Sequence, residues 1–152
     1  MKEIALEAGE ILRKAYYEKR QVSTKAGREL VTSADMASEK ALRKRINEAY
    51  PEHAVLAEEM GGKIETKGYL WVIDPLDGTN NFAQGFPMFS VSIGLAKDGE
   101  IVMGAVYEPL RDELFWADKS GAYMNDEPIH VSDTDNLAHA LLAQRYALIA
   151  IS

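Results

Sequence analysis

The chain predicts an α+β fold, with helices first and antiparallel strands afterwards. Apolar residues recur at helical spacing as far as Tyr50, and Pro51 then stops the pattern. From Ala54 onward the signal changes to short apolar runs separated by Gly, Asn and Asp turns.

Residues 2–19 read as a helix with Ile4, Ala8, Ile11, Leu12 and Ala15 on one side. A loop is expected to about Thr32, and a second helix then runs to Tyr50 with Ala34, Ala37, Ala41, Ile46 and Ala49 forming its apolar face. Thr32 with Asp35 matches a capping box, so the simplest role for Asp35 is to cap that helix. Ala54 to Ala57 is a short strand with Glu58 and Glu59 at its end, before Gly61-Gly62. Leu70 to Ile73 is a second strand. Phe89 to Leu95 is a third, where Val91, Ile93 and Leu95 alternate with Ser90, Ser92 and Gly94 to give a sheet with unlike faces. Ile101 to Tyr107 follows the Lys97-Asp98-Gly99 turn, then Glu113 to Ala117. Shorter strands, Gly121 to Met124 and Ile129 to Val131, flank the Asn125-Asp126 turn. Trp71 and Trp116 read as core or interface aromatics, and Phe82, Phe86 and Phe89 as packing for the turn between Asp74 and Ser90.

With 152 residues and 47% hydrophobic content the chain can build one domain with a real core. No repeat, linker or low-complexity tract divides it. A net charge of −7 argues against nucleic acid or an anionic membrane as the main partner, because phosphate backbones reward Lys and Arg. The absence of cysteine excludes disulfide stapling. No apolar stretch is long enough to span a bilayer and the amino end shows no signal-peptide pattern, so a cytoplasmic location is the default expectation.

The most informative run is Trp71-Val72-Ile73-Asp74-Pro75-Leu76-Asp77-Gly78-Thr79-Asn80-Asn81-Phe82. It brings two carboxylates to the exit of an apolar strand, with Pro75 between them to break the strand, so both can point into one space. Hard cations such as Mg²⁺ take carboxylate and main-chain carbonyl oxygens and leave positions for water and phosphate. The Leu76 carbonyl is a plausible third ligand beside Asp74 and Asp77. Gly78 permits an unusual backbone angle, and Thr79 and Asn80 suit the start of a short helix whose N–H groups face an anion. Asp-Gly alone would more simply be a turn, but a plain turn needs neither the second Asp nor the Asp-Pro break. An EF-hand would want Asp or Asn at Leu76, and haloacid-dehalogenase-like phosphatases space their acids by two rather than three. Gly99 and Gly104 have P-loop separation, but Ala105-Val106 stands where Lys and Ser/Thr are needed. Glu58 can join the aspartates, although adjacent glutamates are commonly a solvated pair. His53, His130 and His139 are scattered and suit loops or surface better than a metal.

Together Leu30-Val31-Thr32-Ser33-Ala34-Asp35, Glu58-Glu59, the Asp74-to-Phe82 run, Gly85-Phe86-Pro87 and Ser90-Val91-Ser92-Ile93-Gly94 resemble the inositol monophosphatase family, over roughly residues 5 to 143. The resemblance implies the amino-terminal part of a layered α-β-α-β-α sandwich, shared with the fructose bisphosphatase type. It implies Mg²⁺-dependent hydrolysis of a small phosphate monoester by a metal-activated water, with myo-inositol monophosphate the first substrate expected. The family's first metal site maps onto Glu58, Asp74 and the Leu76 carbonyl; its second adds Asp77 to Asp74. Its water-activating residues map onto Glu58 and Thr79, with Asp35 holding the Thr79 hydroxyl. Its substrate contacts map onto Leu76, Asp77, Gly78 and Thr79. Lys25 lies where the family often has a lysine in a mobile loop. Homodimers are common among such relatives.

Members of the family are longer and carry a Trp-Asp motif in their carboxy-terminal half, whose aspartate completes the second metal site. This chain has no Trp-Asp, and Gln144 to Ser152 does not continue with the expected Gly-Phe-Pro type of segment. The expectation is therefore a single domain, 1–152, lacking the carboxy-terminal portion, as in a truncated or frame-shifted copy. Two functions from different classes follow: the phosphatase, or a non-catalytic remnant that binds metal or a partner subunit. Fructose 1,6-bisphosphate and 3′-phosphoadenosine 5′-phosphate are the competing substrates within the enzyme class.

Overall fold

A computed structural model describes residues 1–19, 24–62 and 67–140, with the backbone alone described at Lys19 and through 24–31. Helix α1 (Lys2–Lys19) lies where its apolar spacing places it and buries Ala5, Ala8, Leu12, Ala15 and Tyr16. Helix α2 (Thr24–Ala49) begins earlier than the capping box at Thr32 suggests. Lys25, Ala26, Arg28, Glu29 and Leu30 are good helix formers, so the helix extends through Thr32 and Asp35 is an interior residue rather than a cap. Lys25 thus falls in the first turn of a helix, not in a loop; its side chain lies outside the described residues. The buried face of α2 also differs from the alanine stripe. Ala37 and Ala49 are exposed, and the inward residues are Ala34, Asp35, Ser38, Glu39, Leu42 and Ile46. Three polar side chains in that row hid it from a reading that counts only apolar residues.

Seven strands form one sheet in chain order: β1 (Ala54–Ala57), β2 (Tyr69–Asp77), β3 (Ser90–Lys97), β4 (Glu100–Glu108), β5 (Glu113–Asp118), β6 (Gly121–Met124) and β7 (Glu127–Ile129). β1 and β2 are parallel; every later pair is antiparallel. The hairpin turns use Asp98-Gly99 and Asn125-Asp126, with φ of 52°, 88°, 48° and 70°. Two successive positive φ values match the right-handed twist of the strands they join, which is why Asn, Asp and Gly signal such hairpins.

The two helices cover one face of the sheet. Leu12, Tyr16, Leu42 and Ile46 meet Trp71, Ile73, Val91 and Ile93 there, and Phe82 and Phe89 close the end of the core with ring centroids 4.8 Å apart. Phe86, by contrast, is 53% exposed, because it follows the short helix α3 (Thr79–Gln84) and its Gly85 cap and points away from that core. The other face of the sheet carries Val72, Val106 and the cleft-lining Ser92, Gly94 and Gly104, largely open to solvent. Among the described residues no helix is long and apolar enough to cross a membrane.

Candidate active site

The strand does not end at Asp74. β2 continues through Pro75 to Asp77, and its pairing with β3 slips: Asp74 stands opposite Ser92 and Asp77 opposite Ser90. Three steps on one strand therefore oppose two on the other. Residues three apart in a regular strand face opposite sides. The bulge supplies the extra residue that returns Asp77 to the face of Asp74, and Pro75, which has no N–H to donate, is tolerated at such a bulge. The two aspartates share a face for this reason rather than through a turn. Local bonds fix the arrangement, since Leu76 N–H donates to Asp74 Oδ1 at 3.1 Å.

Glu58 leaves the end of β1, and its N–H donates to the Ile73 carbonyl on the neighbouring β2 at 3.3 Å. Parallel pairing places Ala57 beside Ile73, so Glu58 comes level with Asp74. The two carboxyl groups are electrostatic neighbours. Burial, the charge of Glu58 and, at longer range, that of Asp77 raise the Asp74 pKa, against the Leu76 N–H, which lowers it. Asp35 joins the same group from α2. It is 6% exposed, and burial followed by the charges of Glu59, Asp74, Glu58 and Glu39 lifts it from 3.8 to about 7. Its Oδ1 is buried without a hydrogen-bond partner.

The sequence thus places Glu58, Asp74 and Asp35 in one electrostatic neighbourhood, but two expected contacts differ. Thr79 Oγ1 donates to the Leu76 carbonyl at 3.0 Å instead of being held by Asp35. Three residues separate donor and acceptor, so this bond closes within the turn itself. In addition, no three Asp, Glu or His side chains among the described residues stand together as a ready cation cage. Asp77 is exposed at the end of β2, whereas Asp74 is half-buried beside Glu58. Gly78 has φ +88°, as expected, and an added Cβ would lie 3.1 Å from the Met88 carbonyl. The turn beyond it is closed by Asn81 Nδ2 donating to the Met88 carbonyl at 2.8 Å and by the Tyr16 hydroxyl donating to that of Gly85 at 2.7 Å.

Two clefts flank the acids. One, of about 1200 Å³, runs from Asp77, Gly78 and Asn80 past Ser90 to Arg111. The other, of about 570 Å³, holds Glu58 and Asp74 beside Val72, Ser92 and Gly94. Either can admit a small molecule.

Residues 1–150 match the model of the inositol monophosphatase family. The chain belongs to that family. A relative from Aquifex aeolicus named "Fructose-1,6-bisphosphatase/inositol-1-monophosphatase" is 41% identical over 139 residues, which are 90% of this chain and 53% of the relative. "Nus factor SuhB" of Pasteurella multocida is 41% identical over 143 residues, 91% and 53% of the two chains. Among solved structures, the inositol monophosphatase of Anabaena superposes with a TM-score of 0.75 at 42% identity, covering 87% of this chain and 48% of that one. The SuhB structure from Bartonella henselae gives 0.78 at 38%, covering 88% and 53%. The expected α+β architecture, the amino-terminal part of the inositol monophosphatase fold, is thereby shown. The chain spans about half the length of the curated relatives it matches.

Family members are generally metal-dependent, and the donor set here suits a hard cation. All its groups are oxygens, two carboxyls are pressed together, and one buried carboxylate oxygen has no partner. Mg²⁺ commonly binds through only one or two carboxylates plus phosphate and water. The Leu76 carbonyl has a second lone pair besides the one Thr79 uses. The residues present therefore fit Mg²⁺. Sequence reasoning did not single out Ser38, Glu39 and Arg43, which lie on or beside the buried face of α2 against both acid-bearing segments. Their signal was the spacing from Asp35, at i+3, i+4 and i+8.

Proposed function

We propose that this chain carries the catalytic acids of a Mg²⁺-dependent phosphatase that hydrolyses a small phosphate monoester, with myo-inositol monophosphate the leading substrate. Glu58 and Asp74, brought level by the parallel pairing of their strands and lining one cleft, are the observation that carries the reading. An exposed acid held against a half-buried one raises the cost of charging the latter unless a proton or a cation offsets the repulsion. Glu58, Asp74, Asp77 and the Leu76 carbonyl would hold Mg²⁺, which when bound neutralises phosphate charge and lowers the pKa of a coordinated water.

The chain's own groups do the rest. The Gly78 and Thr79 N–H groups, at the start of α3 where Gly78 has φ +88° and no side chain caps the helix, would face the substrate phosphate. Thr79 gives its hydroxyl hydrogen to Leu76, which turns its lone pairs outward to accept a hydrogen bond from the attacking water and so orient it. Glu58 is the carboxylate that takes the proton from that water, and Asp35 adds buried negative charge behind it.

Phosphate release from inositol 1-phosphate in Mg²⁺, compared with Asp74→Asn, tests this. We expect the variant to lose about 100-fold or more. Folded protein that releases no phosphate at any Mg²⁺ concentration would defeat the catalytic reading for this chain. The Aquifex relative's name favours fructose 1,6-bisphosphate as the second substrate to assay. The relatives named Nus factor SuhB favour, as the non-enzymatic alternative, a partner-binding role; Mg²⁺ stabilisation without turnover would point to it.

A further inference from the structure

We propose that Ser38 and the Glu39–Arg43 ion pair are positioning residues that fix both acid-bearing segments to one face of α2; the proposal rests on the metal-site reading above. Asp35, Ser38 and Glu39 are spaced i, i+3 and i+4, so they form one row along the helix. Ser38 and Glu39 are both 0% exposed.

Each reaches a different segment. Ser38 Oγ donates to the Pro75 carbonyl at 2.9 Å, inside the bulge that aligns Asp74 with Asp77. Glu39 Oε1 takes the Arg43 Nε–H at 2.7 Å. Its two carboxylate oxygens also receive the Met60 N–H, at 3.3 and 3.2 Å. The other arm of the Arg43 fork donates to the Gly61 carbonyl, which accepts the Ala57 N–H at 3.2 Å as well. Glu58 and Glu59 therefore sit between two anchored points: the Glu58 N–H on β2 and the Met60 N–H on α2. Beyond them Gly62 lies so close to β1 that an added Cβ would clash with the Val55 carbonyl.

A fully buried carboxylate paired with a mostly buried guanidinium is a poor source of net stability, because desolvating both charges offsets their attraction. What the pair does supply is direction. Arg43 has a planar fork that holds a carboxylate and a carbonyl at fixed angles, which Lys cannot reproduce. Groups that orient metal ligands from behind typically change metal affinity by about 10–100-fold when removed.

The test uses the whole chain and Mg²⁺ alone. Mg²⁺ affinity is measured by calorimetry for wild type, Ser38→Ala, Arg43→Met and Arg43→Lys, alongside metal-free melting temperature and amide hydrogen exchange at Met60 and Gly61. The expected result is affinity weakened about 10–100-fold in Ser38→Ala and Arg43→Met. Arg43→Lys should fall between, and each loss should exceed what the change in metal-free stability accounts for. Exchange at Met60 should quicken in the Arg43 variants and stay unchanged in Ser38→Ala. Should Arg43→Met fail to fold, Arg43→Lys carries the comparison. Wild-type affinity and wild-type exchange in folded variants would overturn the proposal. If wild-type protein binds no Mg²⁺, the metal reading falls by itself. Met60 exchange then judges the bracket alone: faster in Arg43→Lys upholds it, unchanged overturns it.

Discussion

Asp35 shows how one carboxyl can set a pH dependence. Its folded-state pKa of about 7 lies above the unfolded value of 3.8. Between those values the folded chain keeps a proton that the unfolded chain has lost, so stability falls as pH rises. The loss begins near pH 4 and is complete above about pH 7; the raised Asp74 pKa acts in the same direction. The melting temperature in chelator-treated buffer should therefore decline from pH 5 to 7.5. Asp35→Asn should flatten that decline and raise the value at pH 7.5, by roughly 2–4 °C for each kcal/mol recovered in a chain of this size. A steeper fall in the variant would show that other groups govern the pH response. If the chain has the proposed phosphatase activity, the same substitution should lower it, because the uncharged amide removes charge from behind Glu58 and Asp74.

At the level of elements, the segment from the bulge to β3 is tied down by its own bonds and by packing. Gly78 starts α3 with φ +88° and packs against Met88 and Phe89, while Gly85 ends it with φ +72° and open space around it. Both conformations disfavour a side chain by about 1–2 kcal/mol, but only Gly78 adds a close contact. Gly78→Ala should lower the urea midpoint more than Gly85→Ala, with unchanged slope; equal effects would mean the Met88 carbonyl yields easily. Phe82 fills the space beneath α3, wholly buried and edge-to-face with Tyr16 and Phe89. Phe82→Ala should cost about 3–5 kcal/mol in equilibrium unfolding. Activity in any folded fraction should drop too, since the acids' turn loses its support.

For the molecule as a whole, acids gathered at one end of the sheet conflict with a net charge of −7. A cation that binds only the folded form stabilises it by mass action, about 2.7 kcal/mol at a hundredfold excess over Kd. Mg²⁺ should raise the melting temperature, and more at pH 7.5 than at pH 5.5, because ligands must shed protons to bind. Asp74→Asn should remove most of that rise. A Mg²⁺ effect equal at both pH values and retained in the variant would assign the stabilisation to general charge screening.

Sequence by itself determined the elements whose signals are local. The helix from Lys2 to Lys19, strand β6, the Asn125-Asp126 turn and the left-handed Gly78 depend on neighbours a few residues away, and each was legible. The Asp-Pro-Leu-Asp-Gly-Thr run stood out as well, because it is an unusual arrangement for an ordinary strand exit. Tertiary structure decided what depends on distant partners. Ser90 and Ser92 on β3 set the bulge that puts Asp74 and Asp77 on one face. β1 lying parallel to β2 brings Glu58 against Asp74. Asp35 read as a helix cap and Ser38 and Glu39 carried no signal; they form a buried side because α2 packs on the two segments that carry the acids. Spacing along a chain fixes which face a residue occupies, but not what that face will meet.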